Sequence, residues 1–322
     1  MLQFPLCVTP YDARPMTIGE ILDRAISTYV RRCLPLFVIL AITVVPVALI
    51  QLAATPGFVH TSDLFAQINR LPPGATAERS GLLAQALASI NGGSIFAIFV
   101  LGPLLLFPIS RNAIFTYVNA AFDGTPVSIA TAYRRSIGKW APQVVTAIGY
   151  FAISMAIGFV LVIAGVLTVV LGYFGGGQGN VGGVLALIAA IPFLVAALVV
   201  FALLNVAFEL SSVSVALEES NPFRAMGNGW RRTFDRTLRR RTFGIALAYF
   251  AVEFAGSGAL VGLGAFLQSV SHLYLVQSVV SSVAQILITG VLAVFMIVYA
   301  RDVRLRREGL DLLRAASEPA ST

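Results

Sequence analysis

The chain has 322 residues, 57% of them apolar and 11% charged, with a mean hydropathy of +0.86. An average soluble domain is about 45 to 50% apolar and about 25% charged, so this composition excludes an ordinary water-soluble enzyme and places most of the chain in lipid. The 22 basic residues outnumber the 15 acidic ones by 7. Because they flank apolar runs, the expected counter-charge is anionic lipid headgroup, not nucleic acid.

In chain order, Met1 to Pro10 is short and lacks a basic start, so it does not read as a cleaved signal peptide. Cys7 and Cys33 are too few for a disulfide framework or a thiolate metal cage and read as reduced. Thr17 and Glu20 form a capping box just after Pro15 and open a basic amphipathic stretch that carries Arg31-Arg32 and leads into the first span. A first apolar span follows at about 34 to 54, closed by Pro56-Gly57 and Leu71-Pro72-Pro73-Gly74. The second span covers about 94 to 120. After it, Asp123-Gly124-Thr125-Pro126 places a cap residue, Thr125, before a first-turn proline, and a second amphipathic stretch carries Tyr133, Arg134 and Arg135. Spans three and four, at about 143 to 173 and 184 to 210, are separated by the cluster Gly175-Gly176-Gly177. Asn221-Pro222 then starts a third amphipathic stretch with Trp230, Arg231 and Arg232, followed by Arg236, Arg239, Arg240 and Arg241. Spans five and six lie at about 243 to 268 and 276 to 300, ahead of a basic tail over 301 to 322.

Each span suits a hydrocarbon core about 30 Å thick. Nineteen of the 22 basic residues fall in alternate segments, two fall on the opposite side, and Arg111 lies within a span. By the positive-inside rule both termini are cytoplasmic, which requires an even number of spans. The expected fold is all-α: a polytopic bundle of six transmembrane helices with three cytoplasmic amphipathic helices lying on the inner leaflet. The whole reads as a single membrane domain of three degenerate units, about 15 to 122, 123 to 217 and 218 to 300, each an interfacial helix followed by a helical hairpin.

Chemistry-bearing motifs are sparse. His60 and His272 stand on separate expected outer loops without a metal-binding pattern. Gly177 to Gly182 matches a dinucleotide fingerprint by letter, but it joins two spans instead of a strand and a helix and reads as a turn. No cofactor, metal site or catalytic residue is expected, and the chain does not read as an enzyme.

Ionisable residues inside spans are costly and mark the candidate site. Glu253 follows Arg241 by about 18 Å of helix, and Arg111 precedes Asp123 by a similar rise. They read as a gate or proton-coupled pair, as a structural salt bridge between spans two and five, or as a protonated Glu253 and an Arg111 that snorkels to the interface. Glu209 reads as interfacial, near the inner end of span four. Polar residues at helical spacing suggest a hydrophilic track: Asn112 in span two, Asn205 and Glu209 in span four, Tyr249 and Ser257 in span five, and Gln285 in span six. The alternative is ordinary interhelical hydrogen bonding. Span five also carries a seam of small residues, Gly244, Ala248, Ala251, Ala255, Gly258, Gly262 and Ala265, which predicts a central place in the bundle. Arg134, Arg135, Arg231, Arg232, Arg236, Arg239, Arg240 and Arg241 are the candidate contacts to anionic lipid.

The run Arg14 to Ala25, the start Asn221-Pro222-Phe223-Arg224-Ala225 with Trp230 after it, and the tail Arg301 to Asp311 resemble the membrane-domain family of glycerophosphoryl diester phosphodiesterases. The resemblance implies a helical membrane bundle that some relatives fuse to a soluble phosphodiesterase domain. The His-Arg-Gly start of that domain is absent here, so the resemblance implies a stand-alone member without the hydrolytic activity. Together these readings predict a non-catalytic, multi-pass protein of the bacterial inner membrane. It is expected to contact anionic phospholipid, to support a lipid- or envelope-related membrane or peripheral partner, and to bind no nucleic acid. A small-solute or lipid transporter with a Glu/Arg gate is the competing expectation.

Overall fold

The structure is a computed structural model and describes residues 16–70, 76–89, 96–175, 180–218, 221–271 and 274–317. Cys7, Pro15, the break at 71–74, most of the glycine cluster, His272 and the end of the tail lie outside the described residues, as do the side chains of His60 and Ala265.

Every described element is a helix: α1 (Ile18–Arg31), α2 (Cys33–Arg70), α3 (Thr76–Ser89), α4 (Phe96–Leu106), α5 (Phe107–Phe122), α6 (Ile129–Gly138), α7 (Trp140–Gly175), α8 (Asn180–Leu217), α9 (Pro222–Thr233), α10 (Arg239–Ser271) and α11 (Tyr274–Ser317). Among the described residues, five helices are long and apolar enough to cross a membrane, along Cys33–Ile50, Trp140–Thr168, Ile191–Leu217, Arg239–Gly264 and Val279–Arg306. The expected second span is divided. α4 is an 11-residue π-helix that passes directly into the 16 residues of α5. Pro103 brings no N–H to an α-helical ladder there. Pro56-Gly57, by contrast, does not end α2, which continues to Arg70; membrane helices tolerate such interruptions where neighbours satisfy the freed backbone groups.

Local chemistry sets the three amphipathic helices. In α1, Glu20 N–H donates to Thr17 Oγ1 at 3.2 Å while Thr17 N–H donates to Glu20 Oε2 at 2.6 Å, completing the expected capping box. Asn221 Oδ1 accepts from Phe223 and Arg224 N–H at the start of α9, with Pro222 in its first turn. The cap of α6 is Ser128, which accepts from Thr131 N–H at 3.2 Å, and not Thr125. Thr125 instead closes the end of α5 through Ala120 O, helped by Gly124 at φ +72°. The carbonyls left open by α5 claim the nearer residue.

These helices do not lie flat across the bundle. Met16 meets Asp302 and Tyr29 meets Gly290, so α1 runs antiparallel to α11 for about 18 Å. α6 packs along α5, and α9 packs along α8 and touches α7. Small residues permit the approach: Ala225, Gly229 and Thr233 form the buried face of α9, and a Cβ on Gly229 would stand 2.6 Å from Ala207 O.

The centre of the bundle is α11, which packs against α1, α2, α5, α8 and α10. Leu292 to Tyr299 are buried on every side. The expectation that span five is central is corrected, because Ala251, Ala255, Gly258 and Gly262 of its seam are exposed. Small side chains also fit a helix that presents its backbone outward. Large apolar side chains of α7 such as Phe151, Met155, Phe159 and Val160 are exposed, as a lipid-facing surface requires.

Candidate functional site

Arg111 projects from the first turns of α5 and pairs with Glu209 of α8, whose side chain is 1% exposed. Tyr249 of α10 donates to the same carboxylate oxygen at 2.7 Å. The guanidinium also lies 4.9 Å from the centroid of the Phe208 ring. The salt-bridge expectation for Arg111 is therefore corrected in its partner, which is Glu209 and not Glu253, and Glu209 lies inside the bundle. The reason is packing: α8 contacts both α5 and α10, and so brings Glu209 between Arg111 and Tyr249.

Two cavities meet at Arg111. One, of about 370 Å³, lies between α4, α5, α7 and α8, and its polar lining is Arg111, Gln143, Tyr150, Ser154 and Asn205. Its walls are apolar, among them Phe107, Phe151, Phe201 and Phe208. The other, of about 350 Å³, is lined by Arg111, Tyr249, Glu253, Ser257, Gln285 and Thr289 of α5, α10 and α11, among others. Glu253 therefore shares a cavity with Arg111 without an ion pair among the described residues.

The expected polar track thus divides. Glu253, Tyr249, Ser257 and Gln285 gather on one side of Arg111 and Asn205 on the other. Asn112 is buried, lines neither cavity and leaves both amide atoms without a partner. Gln143, Tyr150 and Ser154 lie outside the expected polar track, although their spacing of seven and four residues puts them on one face of α7. Gln143 is completely buried and both its amide atoms lack a hydrogen-bond partner, as do Arg111 Nε and Glu209 Oε2. Buried polar groups are nearly always satisfied, so this concentration singles out the region.

At the end of the bundle that carries α1, α6 and α9, the arginines fall into two groups. Arg241 and Arg306 both bond Asp302, which is fully buried and also accepts Met16 N–H at 2.7 Å. Both arginines donate to Met16 O as well. Arg304 and Arg232 grip Glu218 at 2.6 Å each, and Arg301 reaches Asp123 at 2.7 Å. Burial pushes the Glu218 carboxyl up, but the Arg232 hydrogen bond and charge, the Arg304 charge and the Ser214 hydrogen bond together hold it below its ordinary value of 4.5. Lys139 is lowered by burial and donates to Ala216 O at 2.8 Å. The expected basic tail therefore begins as a structural continuation of α11.

Arg232 and Arg241 are thereby removed from the candidate lipid contacts, because nearby carboxylates already compensate them. Arg134, Arg135, Arg231, Arg236, Arg239 and Arg240 are exposed and form no ion pair among the described residues. They stand with exposed Trp140, Phe223, Trp230 and Phe234. Among the described residues no group of three His, Cys, Asp or Glu is placed to hold a metal ion. Comparison with known proteins finds no matching family model, no matching curated protein and no matching solved structure.

Proposed function

We propose that this protein is a non-catalytic, multi-pass bacterial inner-membrane scaffold that gathers anionic phospholipid around its basic end. One observation carries the reading: six arginines on and beside α6, α9 and the start of α10 stay exposed and unpaired among the described residues, beside exposed aromatic side chains, while their neighbours are consumed by internal ion pairs. Arginine at phosphate depth and tryptophan at headgroup depth is the composition that anionic leaflets attract, at about 1 kcal/mol per charge.

In this reading α4 and α5 together form a sixth span, and both termini are cytoplasmic. Three degenerate units, each an amphipathic helix plus a hairpin, close on themselves. Their support is the packing of α1 on α11, α6 on α5 and α9 on α8, which repeats one relation around the bundle. Membership among stand-alone relatives of the phosphodiesterase membrane domains belongs to the same proposal.

The test is spin-labelled lipid association with the full-length protein in vesicles. Phosphatidylglycerol is expected to be held several-fold more strongly than phosphatidylcholine. The preference should weaken with salt and disappear when the six exposed arginines become glutamine. Equal association of the two lipids would end the proposal.

The meeting of two cavities at the Arg111 pair favours a second reading, a carrier gated at Arg111 and Glu209. For a proton-coupled carrier, Glu253→Gln abolishes pH-driven uptake into vesicles. For a scaffold, the same change leaves lipid preference intact.

A further inference from the structure

We infer that the cavity between α4, α5, α7 and α8 is a binding site for an uncharged, hydroxyl-bearing membrane amphiphile. This does not rest on the arginine reading, since none of the exposed arginines lines it. Its volume of about 370 Å³ falls in the lower range of small-ligand pockets. Phe151, on its wall, belongs to the same exposed apolar face of α7 as Ile148 and Met155, so access is from the hydrocarbon side. A ligand arriving that way brings an apolar tail.

At the polar end stand Gln143 and Arg111. The Gln143 carbonyl and amide nitrogen are both buried without partners, offering one acceptor and one donor group. A hydroxyl complements that pair, donating to Oε1 while accepting from Nε2 or from the guanidinium. The charge of Arg111 is already balanced by Glu209, itself held by Tyr249. An anionic head would have to displace that carboxylate and leave it buried and uncompensated, which is costly. The tail then lies along Phe107, Phe151, Phe201 and Phe208.

The chain supplies its own reporter. Trp140 Nε1 donates to Leu105 O at 2.8 Å, next to Leu104 on the cavity wall, and Trp230 is the other tryptophan. In full-length protein carrying Trp230→Phe, reconstituted in phosphatidylcholine vesicles, Trp140 fluorescence is followed while a diacylglycerol with brominated acyl chains is added at low mole fraction. Quenching is expected to saturate. Gln143→Leu should raise the half-saturating mole fraction about tenfold, the loss of one well-paired polar contact. Ala147→Phe, which fills the cavity, should remove saturation altogether. If Ala147→Phe does not fold, Gln143→Leu still decides, because it removes unpartnered polar atoms and introduces no bulk. Quenching linear in mole fraction and identical in Gln143→Leu is collision with bulk lipid and overturns the site. Saturation by brominated phosphatidylglycerol at a lower mole fraction than by the diacylglycerol overturns the uncharged head.

Discussion

Two buried arginine–carboxylate clusters in this protein differ in how completely they are satisfied. At Asp302, two arginines and the Met16 backbone exchange hydrogen bonds, so that one carboxylate ties α1, α10 and α11 together. At Glu209, one arginine and one tyrosine share a single carboxylate oxygen, while the other oxygen, Arg111 Nε and the nearby Gln143 amide find no partner beside two cavities. In the first cluster both carboxylate oxygens are paired, and one donor, Arg241 Nε, is left without a partner. The second keeps unused hydrogen-bonding capacity where space exists for a ligand. How fully the carboxylate is paired, together with the adjoining cavities, separates the strut from the candidate site here.

The comparison breaks most visibly if the clusters respond alike to truncation. Asp302→Ala should cost about 3–5 kcal/mol, because two arginines lose their buried partner. Adding Arg241→Leu should not restore stability, since Arg306 and Met16 remain uncompensated. Arg111→Leu alone should cost a comparable amount by leaving Glu209 unpaired, but the double change with Glu209→Leu should recover most of it. Thermal unfolding in detergent, followed by size-exclusion of the surviving fraction, measures all four variants. Recovery in the Asp302 pair, or none in the Arg111 pair, would reverse the assignment of strut and site.

Gly229→Ala tests the antiparallel packing of α9 on α8. The added methyl would meet backbone atoms of Ala207 and Ser211, which cannot rotate away, so a loss of about 1–3 kcal/mol is expected in the same assay. A helix lying free on a membrane surface would not register the change.

Acid sharpens the comparison further. The Glu218 clamp has a folded pKa below the ordinary 4.5, so its contribution is present above about pH 4.5 and is lost as pH falls through the lower folded value. Between pH 7 and 3 the wild type should lose more thermal stability than Glu218→Gln, which has no carboxylate to protonate. Parallel curves would show that Arg232 and Arg304 do not depend on it. The smallest effect belongs to Gln143→Leu: stability unchanged or raised by less than about 1 kcal/mol, since removing an unsatisfied pair of polar atoms relieves a burial penalty. A loss instead would make Gln143 structural.

The amphipathic helices were legible because caps act within three or four residues. Thr17 with Glu20 and Asn221 with Pro222 do what their sequence implies. Thr125 failed as a cap because the end of α5 took it, a competition between two helices that local spacing does not express. Polar residues in apolar runs point to Arg111, Glu209, Tyr249, Asn205 and Glu253, which the structure gathers around Arg111, and to Asn112, which lines neither cavity. Their partners were not legible: Glu209 instead of Glu253 depends on which helix fills the gap beside α5, and the seam of α10 gave no sign of facing outward.

Composition and periodicity by themselves determined a helical chain with several apolar helices long enough for a bilayer, because apolar surface and backbone hydrogen bonding leave lipid-immersed chain few other options. Tertiary structure alone decided that α11 is the hub, that α1 stands along it, and which arginines are spent on carboxylates and which face outward. Those choices arise between segments up to 290 residues apart, as in Arg306 to Met16, where shape and charge are matched across helices and no local pattern records the match.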